Sequence, residues 1–427
     1  MKLDKNKIFL ILMCLYPISI IVGPSISLLN TLLIVLIYLI FFFNEDHYKF
    51  LFKDKILKVF FLIYFYLIIN TLFSINYEVG LSRNLGFIRI ILIFVAINYI
   101  FYISNTNLSI FKIWMIVFTL LVLDVYLERF TGTNMLGWGA SEINGVKQPD
   151  GLRIQSFFKD ESIVGTFIHG FIFLIIGYLL TIFNKKNKIN FLIYLLIFCF
   201  LLSIVFTGER SSTIKVIFGV LIFIAIIKNI KIKTKILLFS ILISTAILTV
   251  ISSDYLKNRY VGQMYYYFAN KDSKNIQNSL YYRLYKSGFN VFKNSPILGV
   301  GNKNYRIETC KSNLEKIKKN NYLCSTHPHQ IYFEFLSEHG LLGTSILLSL
   351  FFYLIFKNFQ KIILSQNYVQ IGAFVYLLSI FLPLIPSGSF FNDFNITFFI
   401  INLSLMYAVN KDTNIFFVEK NNKNSNS

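Results

Sequence analysis

Apolar runs of about 17–22 residues recur along the whole chain, the length that carries a helix across a hydrocarbon core of about 30 Å. Nothing else in the sequence narrows the fold as sharply. Backbone amides in lipid find no water, so a spanning segment either closes its own hydrogen bonds as a helix or joins a closed barrel. The alternating pattern of barrel strands is absent. Of the 427 residues 55% are hydrophobic and 15% charged, and mean hydropathy is +0.61, which excludes an ordinary soluble domain. The expectation is an all-α polytopic membrane protein. About twelve transmembrane helices are read at 8–22, 24–43, 56–74, 86–103, 108–127, 162–183, 190–207, 212–228, 235–252, 330–356, 368–385 and 394–409. The first run follows "MKLDKNK", and no small-residue cleavage site is evident, so it is read as a span and not as a signal peptide.

Lysine orients these spans. "HYKFLFKDK", "NKKNK", "KNIKIKTK", "KNFQK" and both termini fall on one side, which the positive-inside rule makes cytoplasmic. The other side carries two long segments, 129–161 and 253–328. The second is also basic, with 13 Lys+Arg against 4 Asp+Glu, but loops of that length translocate largely regardless of charge. The expected organisation is an N-terminal bundle at 1–252 (about nine spans, with the periplasmic segment 129–161), a large periplasmic loop at 253–329, C-terminal helices at 330–409 and a cytoplasmic tail at 410–427. The net charge of +20 is then topological lysine plus one basic external loop, and no soluble basic domain remains to carry nucleic acid.

The eight arginines (Arg83, Arg89, Arg129, Arg153, Arg210, Arg259, Arg283 and Arg306) all fall on or near the external face in this topology, and the cytoplasmic cations are all lysine. A sorting signal needs only a point charge, whereas a guanidinium fork suits phosphate. The external face is therefore expected to handle a phosphorylated ligand.

Four stretches concentrate polar groups at membrane edges. In "STHPHQIYFEFLSEHGLLG", 325–343, Ser325, Thr326 and Pro328 read as a helix start. His329, Phe333, Leu336, Gly340 and Gly343 then share one helical face, with Gln330, Glu334 and Glu338 as an adjacent stripe. The glycines admit a close neighbour. Ionisable groups at such a depth are functional by default, and His327 lies two residues before His329. In "FTGERSSTIKV", 206–216, a short turn pins Arg210 beside Glu209. In "NSLYYRLYKSGFNVFKNSPILGVGNKNYR", 278–306, Leu280, Leu284, Gly288, Val291 and Phe292 predict an amphipathic helix lying on the membrane surface, flanked by Arg283 and Lys286. In "GLRIQSFFKDESIVGTFIHG", 151–170, Arg153, Lys159, Asp160 and Glu161 precede a span, the two acids suiting the helix dipole. His169 lies inside that span and reads as a packed, hydrogen-bonded histidine. Tyr265, Tyr266, Tyr267, Tyr281 and Tyr282 read mainly as interfacial anchors, with sugar stacking as the alternative.

Cys310 and Cys324 lie in the large external loop and would pair as a disulfide in an oxidising compartment, worth about 3 kcal/mol by loop-closure entropy. Cys14 and Cys199 lie within spans. No zinc-type spacing and no acidic cluster calls for a metal, and no cofactor is expected.

The first stretch resembles the signature of the O-antigen ligase family, with His329, Gln330, Gly340 and Gly343 at its places. Gln330 departs from the commoner Asn. "TGERSS" is similar to the family's Glu-Arg turn, "YYRLYKSGFNVFKNSPILGVGN" to its segment carrying a second arginine and Pro-x-x-Gly-x-Gly, and "RIQSFFKDESIVGTF" to its Arg…Phe-x-Asp-Glu segment. The resemblance implies a GT-C-type membrane glycosyltransferase of the bacterial inner membrane, with both termini cytoplasmic and a periplasmic active site. Its donor would be an undecaprenyl-diphosphate-linked glycan and its acceptor lipid A–core, or a growing glycan in the polymerases of the same superfamily.

Such a donor has a good leaving group and needs no general acid, while the acceptor hydroxyl needs a base. His329 is the expected base, with Glu334 or Glu338 orienting it, and transfer is expected to invert the anomeric carbon. Arg210 and Arg283 are expected on the diphosphate, with Arg153 as a further candidate; His327, Glu209, Asp160 and Glu161 are possible accessories. The alternative from another class is a twelve-span transporter, which would show internal repeats and ionisable groups at the midplane.

Overall fold

The computed structural model describes residues 5–41, 43, 53–103, 107–139, 142–143, 146–147, 153–159, 161–184, 191–228, 230–263, 265, 277 and 279–418. Asp160, Tyr266 and Tyr267 lie outside them, as does the polar tail beyond 418. The architecture is all-helical apart from a two-residue ladder pairing Glu142–Ile143 with Val146–Lys147. The helices of the first half are α1 (Lys5–Cys14), α2 (Tyr16–Val22), α3 (Pro24–Phe41), α4 (Lys55–Leu72), α5 (Tyr77–Leu85), α6 (Ile88–Ile103) and α7 (Asn107–Thr131). After them come α8 (Val164–Asn184), α9 (Phe191–Phe206), α10 (Arg210–Ile226), α11 (Ile232–Ser252), α12 (Asp254–Lys257), α13 (Leu280–Asn294) and α14 (Leu314–Lys319). The chain closes with α15 (Ile331–Phe356), α16 (Phe359–Ser365), α17 (Tyr368–Ile380) and α18 (Asp393–Ala408).

Seven helices among the described residues are long and apolar enough to cross a membrane, or eight if the bent pair α1 and α2, at 48° to one another, counts as one span. Each of the twelve expected stretches contains a helix. Three further apolar helices, Leu192–Phe206, Tyr368–Ile380 and Asp393–Ala408, are shorter. The last two sit inside the bundle, α17 against α8, α10 and α18, and α18 against α6. They are apolar all round because they face protein on nearly every side. By contrast α3 and α11 present Leu29, Leu32, Leu36, Ile236, Ile247 and Leu248 outward, the surface that lipid covers in a multi-pass membrane protein. Close packing at the centre uses small residues: Gly177 meets the Tyr368–Val369 backbone, Gly372 meets that of Phe173, and Gly170 faces the Phe398 ring.

Three local expectations change. The helix containing "IYFEFLSEHGLLG" begins at Ile331, not at Ser325–Pro328. Its cap is Gln330, whose side chain accepts from Phe333 N at 3.0 Å. His329 and Gly343 do not share a continuous helical face, because Gly340 (φ 63, ψ −171) breaks the helix. The apolar face of α13 does not lie on lipid: Leu284, Ser287, Gly288 and Val291 are buried, with Gly288 against Pro328 and Phe333. In addition, Thr413, Asn414, Ile415 and Phe416, at the start of the expected tail, are buried, and Asn414 Nδ2 donates to Asn98 O at 2.9 Å.

Candidate active site

The break at Gly340 shows how distant segments are joined here. Leu341 N and Leu342 N lose their partners one turn back and donate instead to Pro296 O (2.8 Å) and Ile297 O (3.2 Å). The carbonyls left over are taken up in return: Val300 N donates to Ser337 O at 3.0 Å and Gly301 N to Glu338 O at 2.8 Å. "SPILGVG" is thus spliced into α15 by four backbone hydrogen bonds, which re-pair groups freed by the break. Gly299 (φ 70) makes this approach possible, since a Cβ there would lie 2.6 Å from Glu338 O.

His329 sits just ahead of α15 with φ 58, a left-handed conformation that costs a non-glycine residue about 1 kcal/mol. Ser387 N holds it there by donating to His329 O at 2.9 Å, and the His327 ring stacks on it with centroids 4.0 Å apart. Neither ring nitrogen of His329 is hydrogen-bonded within the described residues. Burial, followed by the neighbouring His327, pushes its pKa down to about 4. His327 is pushed down likewise, to about 4, by burial and then by the charge of Lys303.

Neither glutamate is hydrogen-bonded to this imidazole among the described residues, although the charge of Glu334 acts on it. Glu334 accepts from Ser389 Oγ (2.5 Å) and Phe390 N (3.0 Å) and lies 4.0 Å from Lys303 Nζ, which also bonds Ser389 Oγ. Glu338 Oε1 accepts from Tyr305 N at 3.4 Å. Glu334 fastens the 387–390 loop over His329, and Glu338 sits at the splice. Sequence spacing put them on a stripe beside His329, but the helix starts after that residue.

The "TGER" turn is fastened from three sides. Arg129 donates from Nε and Nη2 to Phe206 O (3.0 and 2.7 Å), Arg259 Nε donates to Gly208 O (3.1 Å), and Thr207 Oγ1 accepts from Glu209 N (3.1 Å). The Glu209 side chain turns inward to accept from Gly165 N (2.7 Å) and Ser212 Oγ (3.1 Å). Burial raises its carboxyl to about 7, against the opposing pull of those donors and of Arg153. Arg153 is carried by a segment docked on α7. There Ser156 Oγ donates to Asp124 Oδ2 (2.5 Å), and Gln155 N and Ser156 N donate to Glu128 (3.2 and 2.6 Å). Asp124 and Glu128 were legible as two carboxylates four residues apart in an apolar span, but drew no expectation.

These pieces enclose two adjoining chambers. The smaller, about 260 Å³, is lined by His329, His169, Lys215, Ser212 and the Ser387–Asn395 loop. The larger, about 520 Å³, is lined by Arg210 and Arg259 together with Ile214, Ile217, Tyr260, Tyr285 and Leu384. Arg153, Glu209, Ser211, Tyr281 and Pro386 line both. His329, Arg210, Arg153 and Glu209 therefore converge as expected residues of one cavity system. Arg283 is exposed on α13 and lines neither chamber, although Tyr281 and Tyr285 of the same helix do. Glu161 is exposed, while Ser162 and Ile163 beside it reach the wall. His169 is packed and hydrogen-bonded, Nε2 lying 2.6 Å from Ser379 Oγ. Cys310 and Cys324 form a disulfide, and Thr309 next to it is buried under α13. In the sequence Arg259 is only one of the eight external arginines, with no role of its own, and Lys215 is not singled out. Arg259 stands in an unremarkable polar stretch, "KNRYVG", and Lys215 looks like a lysine at a helix end.

Fold and site together define a multi-pass membrane protein with a cation-rich, histidine-bearing cavity between its helices. Residues 195–348 match the family model described as O-antigen ligase. The match runs from within α9 to within α15 and includes Arg210, Arg259, Arg283 and His329; Arg153 lies outside it. No curated protein matches the chain.

Proposed function

We propose that the protein is a glycosyltransferase of the bacterial inner membrane that moves a glycan from undecaprenyl diphosphate to lipid A–core on the periplasmic face. The observation carrying this reading is the paired chambers: two arginines beside apolar walls in one, an unbonded imidazole in the other, and a shared wall between. A polyprenyl diphosphate suits the larger, with its phosphates on Arg210 and Arg259 and its first isoprenes against Ile214, Ile217 and Leu384. The acceptor hydroxyl then approaches from the smaller chamber. His329 takes its proton, the oxygen attacks the anomeric carbon, and the bond to diphosphate breaks with the electron pair leaving on phosphate. Fixed guanidiniums stabilise that departing charge. One displacement without a protein nucleophile inverts the anomeric centre. Lysine-rich segments on one side and the disulfide on the other support cytoplasmic termini and an oxidising, periplasmic site. Gln330 serves as a helix cap, so its departure from Asn does not speak for a polymerase. The lipopolysaccharide profile of a deletion strain is the test. Loss of all attached O-antigen with accumulation of lipid-linked polymer is expected, and a single retained repeat would make the protein a polymerase instead.

Arg210→Ala and Arg259→Ala are each expected to weaken use of the donor about 10–100-fold in kcat/KM, as removal of one charge-assisted contact does. Arg283→Ala, outside both chambers, is expected to have the smaller effect. Initial rates against donor concentration check the order.

The pH profile follows from the depressed histidine. An imidazole whose pKa lies near 4 is unprotonated across neutral pH, so kcat/KM is expected to stay level down to about pH 5 and to fall only below it. A bound diphosphate favours the imidazolium, so the limb in kcat should lie at higher pH than that in kcat/KM. A kcat/KM limb at 6.5 or above would contradict the burial of His329.

A further inference from the structure

Helix α10 presents different faces to the two chambers. Arg210, Thr213, Ile214 and Ile217 repeat at helical spacing toward the larger one, while Ser212 and Lys215 face the smaller. Lys215 is 9% exposed and makes no hydrogen bond or ion pair among the described residues. Glu209 is the one carboxylate among the described residues lining either chamber, and its oxygens accept from Gly165 N and Ser212 Oγ. His169, beside Lys215, is turned to Ser379. Glu209 is the charge that acts on this ammonium, but at a distance beyond an ion pair, so Lys215 keeps its hydrogen-bonding capacity for the chamber it lines. Arg153 adds a second cation to the same wall, also without a bonded partner among the described residues. A chamber built for a neutral sugar needs hydroxyl partners, which Ser387, Asn392 and Asn395 supply, but it gains nothing from this charge.

We propose that the smaller chamber is a subsite for a sugar bearing an anionic group, a carboxylate or a phosphate ester, held by Lys215 with Arg153 beside it. The assignment of that sugar to the acceptor side rests on the transferase reading above; the anion site itself does not.

The full-length protein in detergent, without donor, is titrated with glucose, glucuronate and glucose 6-phosphate by microscale thermophoresis. At least one charged probe is expected to bind about tenfold or more tighter than glucose, the gain of one charge-assisted contact. Preference for glucuronate assigns the subsite to acidic sugars, and preference for glucose 6-phosphate assigns it to phosphorylated ones. Lys215→Met should bring the charged probe to within about twofold of glucose, while Lys215→Arg and Arg210→Ala should keep the preference. Equal binding of all three probes by the unaltered protein overturns the proposal, as does a preference surviving Lys215→Met or lost in Arg210→Ala alone. Should Lys215→Met not fold, Lys215→Gln replaces it. A preference found in a protein that transfers no glycan would sink the transferase reading and leave the subsite standing.

Discussion

His329→Ala is expected to lower glycan transfer by about 10²–10⁴-fold, the range for loss of a positioned general base, with donor binding and the folded yield unchanged. Two features make this residue separable from the scaffold. Its ring nitrogens take no part in holding the fold, whereas its backbone carbonyl does, through Ser387 N. Alanine keeps that carbonyl and removes only the imidazole. It also accepts the left-handed backbone at a cost of about 1 kcal/mol, similar to the cost histidine bears now. The measurement is transfer by purified protein at saturating donor, next to a donor-binding titration. Transfer at the unaltered rate would remove His329 from the mechanism. A matching loss of donor binding would mean that the ring shapes the chamber instead of accepting the proton.

Gly299→Val is the second large effect, and it acts through the fold. The new side chain would start 2.6 Å from Glu338 O, in a backbone conformation (φ 70) that a β-branched residue rarely adopts. Relief requires the Pro296–Gly301 segment to move off α15, which breaks the four exchanged hydrogen bonds and leaves their groups unpaired in a buried break. With a net worth of about 1 kcal/mol per bond and the added cost of unsatisfied groups, a loss of about 3–5 kcal/mol is expected. Thermal unfolding in detergent checks it. A Tm within 2 °C of the unaltered protein, a margin of about 1 kcal/mol or less, would show that the splice contributes little. Because Glu338 and the segment leading from α13 are joined there, transfer should fall together with stability, in contrast to His329→Ala.

What could be read in advance had a local basis. Spans follow from runs of apolar residues, and the Arg210 turn from Gly and charge between two such runs. The chemical suitability of an imidazole at a membrane edge needs only its pKa and its neighbours in sequence. The readings that changed depended on where helices begin and break. A histidine two residues before a helix shares no helical face with it, so spacing alone did not show how Glu334 and Glu338 lie relative to His329. Gly340 reads as a small residue for close packing, and close packing is part of its role: the Ile297 carbonyl meets the place of its missing Cβ. That the approaching backbone would replace the helix's own hydrogen bonds depends on a segment about 40 residues away along the chain, and no periodicity encodes it.

The sequence by itself determined an all-helical, multi-pass membrane protein, because hydrophobic run length and residue type act at each position alone. Only the tertiary structure decided which of those cations meet. Arg259 joins Arg210, and Lys215, on the opposite face of the Arg210 helix, lines the same chamber as His329, while Arg283 stays on an exposed face. Asp124 and Glu128 hold the segment that delivers Arg153. The physical reason is separation: these partners lie tens to hundreds of residues apart, and packing of whole helices brings them together.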